Sequence, residues 1–444
     1  MKKFDLNAGA LAPVDSERSL KLAPSQGEIP PDLQGTLYRN GPNPFGGRFE
    51  GNTMLDWWPA PGMVHAFKFS PEDECPIEYS NRWLRTPAHS RHLGLPEAAN
   101  VPETNPNVSL LDFNDEIMAL GEGVAPLHIN HSLSQADKPS LEGSLLSGMT
   151  AHPKVDPQSG DLVWFFATPA SEHIKYGVVN ASGQSVVEAS YSLPQPVFMH
   201  DFAITQSKSI LFDLNVVLDT DLALAGDPFP ISWDQNKAAR LGFLPRVGGS
   251  IDWLEIEPCF LQHVANCFEI DERSLVLDAV RYPYFLKRCE RTGNLLDNPL
   301  GTLWRYEIDL RSRRVKEYPL MQGSVEFPQI NPSRTGRVNR FVYMAEQERD
   351  DEIRGVVKLD TQTGRQVRHW VESGDQNSEP IFVSCGRDVE DDGYILLLVY
   401  RAATDTSELR ILDAQRVDGE PIATVPIPYR VPAGFHGLWV HGGY

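Results

Sequence analysis

The chain has 444 residues, 41% of them hydrophobic, with a formal charge of −20 and a pI near 5.0. That length buries a large core in one domain or roughly two or three. The acidic balance excludes a polyanion such as nucleic acid as main ligand, because neutralising phosphates requires a concentrated basic surface.

Met1-Lys2-Lys3 opens the chain, but Asp5, Asn7, Asp15 and Glu17 follow with no apolar stretch of signal-peptide length, so a cytoplasmic location is expected. No run of about 18 apolar residues occurs, which excludes a spanning helix and leaves at most a transient contact with a membrane surface. The Pro-rich segment 87–107 breaks the strand rhythm and reads as loop with short helix. DPQSGDLVWFF from position 156 begins a hairpin in which an Asp-led polar turn precedes a strand; DLRSRRVKEY at 309, DTQTGRQVRHW at 360 and DAQRVDGEPIATV at 413 repeat that form. Apolar runs such as SILFDL (209–214) and GYILLLVY (393–400) are further strands, and 219–250 is a second long irregular segment. Imperfect repetition of this kind suits propeller blades. Irregular spacing and the absence of a Trp-Asp blade ending leave a large sandwich or barrel as the alternative. The two long segments are expected to form a dome over a site.

Cys75, Cys259, Cys267, Cys289 and Cys385 are odd in number and form no C-x-x-C pair, as expected of reduced, buried structural thiols. H-E-x-x-H, G-x-S-x-G, the P-loop and G-x-G-x-x-G are all absent, and no histidine has a carboxylate two residues later. What remains is 12 scattered histidines. Four stand at the edges of expected strands: His152 in MTAHPKVDPQSGDL, His200 in PVFMHDFAIT, His263 in FLQHVANCFE and His436 in PAGFHGLWV. A closed radial array of strands would bring such remote positions to one axis. Taken singly, each is more often a core histidine satisfied by one hydrogen bond than a metal ligand.

In these contexts, and in this order, the chain resembles the carotenoid cleavage oxygenases. The resemblance runs through GTLYRNGPNPF at 35, GMVHAF at 62, YSNRWLRT at 79, WDQNKAARLGFLPR at 233, EFPQINP at 326, EPIFV at 379, EDDGYILLLVY at 390 and the closing GFHGLWV. It implies a single-domain, all-β, seven-bladed propeller spanning 1–444, with a loop and short-helix dome. It also implies one Fe(II) per chain held by His152, His200, His263 and His436, and second-shell carboxylates at Glu122, Glu326 and Glu379, which would orient the metal-bound imidazoles. The implied activity is O2-dependent cleavage of a conjugated C=C bond in a carotenoid or apocarotenoid to aldehyde or ketone products. Stilbene or other phenylpropanoid cleavage by the same iron is the alternative, and a retinoid-type isomerase or a propeller that only binds ligands stand further off. Phe198, Trp253, Phe260, Tyr282, Phe327 and Phe435, beside the iron motifs, are candidates for a substrate tunnel, though each could equally be core. The oligomeric state is not legible. Two positions depart from the family's pattern. Ala60-Pro61-Gly62-Met63 stands where many members read G-D-G-M, so the strand entering the first blade is expected to be rebuilt. Gly121 stands where stilbene-cleaving relatives carry a Lys, which weakens a phenol-activating reading.

Overall fold

A computed structural model describes residues 2–97, 101–133, 148–168, 171–227, 229–289, 291–349 and 352–442. Among the described residues, seven antiparallel sheets form the blades of a β-propeller, and an eighth is a two-stranded ribbon. Each expected Asp-led turn is a hairpin turn between neighbouring blade strands. The carboxylate makes it so: Oδ1 accepts from the backbone N–H two residues on at Asp156 (2.9 Å), Asp309 (2.8 Å), Asp360 (3.0 Å) and Asp413 (2.8 Å). Those side chains satisfy turn N–H groups that no strand partner reaches.

The first blade is closed by both parts of the chain. Gly437–His441 pairs with Gly35–Pro42, which pairs with Gly62–Phe69, then Ile77–Trp83 and Arg18–Leu22. Gly62–Phe69 pairs along its whole length, from Pro42 opposite Gly62 to Gly35 opposite Phe69, so the expected rebuilding of this strand is not seen. Gly62 itself leaves room for its neighbours, because a Cβ there would stand 2.8 Å from Leu84. Blade faces are buried on both sides, and continuous apolar strands such as Ile395–Val399 supply the contacts between neighbours.

The segment 219–250 is not one loop. A ribbon of Val216–Leu218 paired with Ile231–Trp233 and a helix at Thr220–Leu224 rise from the fourth blade, but Ala239–Pro245 is a full strand of that blade, flanked by Lys208–Asp213 and Asp252–Ile256. The expectation failed there because Pro245 and the Gly248-Gly249 turn end a strand that a single preceding run of charges had obscured. Segment 87–107 holds the helix Pro87–Leu93, started by Thr86 and ended at Gly94 in the left-handed conformation (φ 65°). All five cysteines are free; Cys259 and Cys267 are buried as expected, whereas Cys75, Cys289 and Cys385 are only partly so. Among the described residues no helix is long and apolar enough to cross a membrane.

Candidate metal centre and its cavity

Strands at the inner ends of successive blades pack against one another around the axis, and the four histidines sit on them or just before them. His152 precedes Lys154–Val155, His200 precedes Ala203–Ile204, His263 lies within Phe260–Asp271, and His436 immediately precedes Gly437–His441. One ring nitrogen from each lies within 4.8 Å of the others. Nε2 of His200 is 3.1 Å from Nε2 of His152 and 3.2 Å from Nε2 of His263.

Behind three of the rings stand the three expected glutamates. Nδ1 of His436 donates to Oε1 of Glu379 at 3.0 Å, and Nδ1 of His263 donates to Oε2 of Glu326. Nδ1 of His200 is 2.6 Å from Oε1 of Glu122, a close contact that is not aligned as a hydrogen bond. Among the described residues no carboxylate stands behind His152; its backbone N–H donates to Oγ1 of Thr150 at 3.0 Å.

Glu326 and Glu379 are almost fully buried, and their ionised state is explained by donors. Burial pushes the Glu326 carboxyl up, but His263, the Tyr282 hydroxyl and the Phe327 N–H together hold it below the usual range. Burial likewise opposes Glu379, and His436, the Gly437 N–H (2.7 Å) and Arg39 outweigh it. His152 is held far below the usual histidine range by burial and then by the other three imidazoles.

This arrangement fits a divalent cation. A histidine that donates from Nδ1 to a carboxylate presents a bare lone pair at Nε2. Bare nitrogens 3.1–3.2 Å apart repel unless something positive lies between them. For metal–nitrogen bonds of about 2.1 Å, adjacent ligands of one ion stand about 3 Å apart, which matches.

Above the rings lies a cavity of about 670 Å³ that His200, His263 and His436 line together with many aromatic side chains. Of the candidate tunnel residues, Phe198, Phe260, Tyr282, Phe327 and Phe435 line it. Trp253 does not: it lies on the outermost strand of the fourth blade, where the Arg240 guanidinium covers its ring at 4.7 Å. Nearness to the histidine motifs in sequence does not bring Trp253 near them in space, because its strand is the outer edge of the blade. The sequence missed Trp58 and Phe285. Their rings continue a near-parallel series, Trp58 on Phe285 (15°), Phe285 on Phe260 (14°) and Phe260 on Phe198 (12°), that ends beside His200. The doubled Trp57-Trp58 before the Pro-Ala-Pro turn was the available signal.

Phe327 is held in a left-handed backbone conformation (φ 53°) at an irregularity between Glu326 and Gln329. That twist turns its ring over His263 (centroids 5.3 Å, 28°) and edge-on to His436 (5.3 Å), so it covers one side of the centre. Gln329, also unforeseen, donates from Nε2 to Oε1 of Glu379 at 2.9 Å.

Comparison with known proteins agrees with the geometry. The family model described as retinal pigment epithelial membrane protein matches residues 11–441. A carotenoid cleavage oxygenase of Mycobacterium tuberculosis is 30% identical, over 97% of this chain and 96% of the relative. The chain belongs to the carotenoid cleavage oxygenase family. The oxygenase is also 29% identical to the apocarotenoid-15,15'-oxygenase of Synechocystis, over 93% of this chain and 92% of that protein. A solved structure of cobalt-substituted Synechocystis ACO superposes with a TM-score of 0.85 at 27% identity, covering 97% of each chain. A lignostilbene dioxygenase from Pseudomonas brassicacearum has a TM-score of 0.87 at 22% identity over the whole of both chains, a likeness of fold. The oxygenase is therefore an oxidoreductase of the carotenoid cleavage dioxygenase type with a metal-competent four-histidine centre.

Proposed function

We propose that the enzyme holds one Fe(II) through His152, His200, His263 and His436 and splits a conjugated C=C bond of a carotenoid or apocarotenoid with O2, giving two carbonyl products. The observation carrying this reading is the convergence of four imidazoles, three of them backed by carboxylates, beneath an aromatic-lined cavity. Iron, when bound, supplies the redox chemistry that activates O2. The protein's part is positioning and exclusion of water. Trp58, Phe285, Phe260 and Phe198 offer a row of near-parallel faces for a flat polyene, and Phe327 shields the imidazoles from solvent. Glu326 and Glu379 accept from Nδ1 of their rings, which fixes tautomer and ring orientation, and with Glu122 they would offset the ion's charge. One O2 supplies both carbonyl oxygens, so no external reductant is required.

Gly121 favours a polyene over a phenolic stilbene. A Cβ at this position would stand 2.6 Å from the Asn105 carbonyl oxygen and 2.9 Å from Val124, so a lysine there has no place to start. Polyenes partition into lipid, and delivery to a cytoplasmic enzyme by brief contact with a membrane surface suits this substrate; stable flotation with liposomes would contradict it.

The test is anaerobic reconstitution with Fe(II), followed by O2 uptake and mass analysis of products with an apocarotenal and with resveratrol. Aldehyde products from the apocarotenal, each carrying label from 18O2, are expected. Cleavage of resveratrol alone would move the assignment to stilbenes. No turnover of either by the reconstituted protein would leave a propeller that only binds its ligands.

A further inference from the structure

Arg39 lies in Gly35–Pro42 of the first blade, directly opposite Gly437, the residue after His436. It is only 5% exposed, yet it lines the same cavity as His200, His263 and His436. Its Nη2 donates to the Gly434 carbonyl at 3.0 Å. Gly434 makes that position possible, since a Cβ on it would stand 2.8 Å from the Asn40 carbonyl and 3.0 Å from Nε of Arg39. A guanidinium carries five N–H donors. Among the described residues Arg39 makes no second hydrogen bond and no ion pair, and its remaining nitrogens are not sealed off, so they face the cavity. Donors that open on the cavity with no protein acceptor offer a place for an oxygen that the protein does not supply.

The class of oxygen follows from charge. Glu122, Glu326 and Glu379 bring three negative charges to the centre. A divalent ion brings two positive charges and Arg39 one, and the nearby Lys154–Asp201 pair (2.7 Å) cancels itself. The set is neutral. Burial lowers the Arg39 pKa to about 10, with Glu379 opposing the shift, so the side chain stays cationic at neutral pH. A carboxylate ligand would add an unbalanced buried charge, whereas a carbonyl accepts the free N–H groups and adds none.

We infer that Arg39 binds the carbonyl oxygen of a polyene aldehyde or ketone and so sets the substrate's register along the cavity from its oxygenated end. This rests on the polyene-cleaving reading above. The double bond presented to the centre is then chosen by its distance from the carbonyl. Arg39 acts as a specificity residue, and the carotene hydrocarbon, lacking that oxygen, is the poorer ligand.

The experiment uses the Co(II)-loaded protein without O2 and follows tryptophan quenching by three ligands of equal polyene length, a hydrocarbon, an aldehyde and a carboxylic acid. The aldehyde is expected to bind roughly ten- to hundredfold more tightly than the hydrocarbon. Arg39→Met should erase that difference between aldehyde and hydrocarbon, and Arg39→Lys should keep part of it. Equal binding of aldehyde and hydrocarbon by the unaltered protein, or a preference that survives Arg39→Met, overturns the inference and leaves the polyene reading standing. Tighter binding of the acid overturns the neutral-carbonyl assignment. Binding of none of the three defeats the polyene reading and this inference together. Should Arg39→Met fail to fold, Gly434→Ala, which displaces the guanidinium, and the three-ligand comparison on the unaltered protein decide the matter.

Discussion

The Tyr282 hydroxyl donates to Oε1 of Glu326 at 2.6 Å while His263 engages Oε2 of the same carboxylate. A cavity residue thus steadies an imidazole of the four-histidine centre through one glutamate. Tyr282→Phe keeps the ring and removes only that hydrogen bond, so it should lower Co(II) or Fe(II) affinity by roughly tenfold; Glu326→Gln should cost roughly ten- to hundredfold. Metal titration of the two variants checks the order, and unchanged affinity in both would remove Glu326 from its supporting role.

Glu122 should matter less. Its side chain is 30% exposed against 5% for Glu326, and its contact with His200 is not an aligned hydrogen bond. Glu122→Gln is expected to weaken metal binding by less than Glu326→Gln under the same titration.

Gly121→Lys tests the argument about phenolic substrates. Because a Cβ would press on the Asn105 carbonyl, the variant should be destabilised by about 1–3 kcal/mol, seen in denaturant unfolding, and should gain no stilbene cleavage. A stable variant that cleaves resveratrol would show that the backbone yields easily here.

Asp156 links the third blade to Arg246 of the fourth and, at 2.9 Å, to Arg337. Burial raises its pKa, but the Gln158 N–H and the two guanidinium groups win and hold it below the usual carboxylate range. A depressed folded-state pKa stabilises the protein above the unfolded value of about 4, and that stabilisation is lost as pH falls through the folded value. Asp156→Asn should therefore cost about 1.5–3 kcal/mol at pH 7, with the gap to the unaltered protein closing below about pH 4. Unfolding curves at pH 7 and pH 3.5 measure both ends.

The convergence of the four histidines was legible only through the resemblance of their contexts to a family, as GFHGLWV at His436, since each histidine taken singly looked like a core residue. The four Asp-led turns were legible for a local reason, since the side chain bonds its own backbone two residues on. What could not be read was proximity between blades. Trp253 and Phe260 are seven positions apart, yet one faces outward beneath Arg240 and the other belongs to the cavity wall. Nothing in GTLYRNGPNPF marks Arg39 as a site residue; its pairing opposite Gly437 places it beside the centre. Strand Ala239–Pro245 hid inside a segment whose flanks are irregular, because three-strand pairing overrides weak local pattern.

His436 stands one residue before the strand that shuts the ring against Gly35–Pro42. During synthesis it leaves the ribosome after the other three imidazoles, so the fourth arm of the chelate and the latch of the barrel-like ring arrive as one event. An ion captured at that moment gains from the latch and lends it stability in return, by mass action. On the iron reading proposed above, shortage of the ion should first be felt as looseness between Gly437–His441 and Gly35–Pro42.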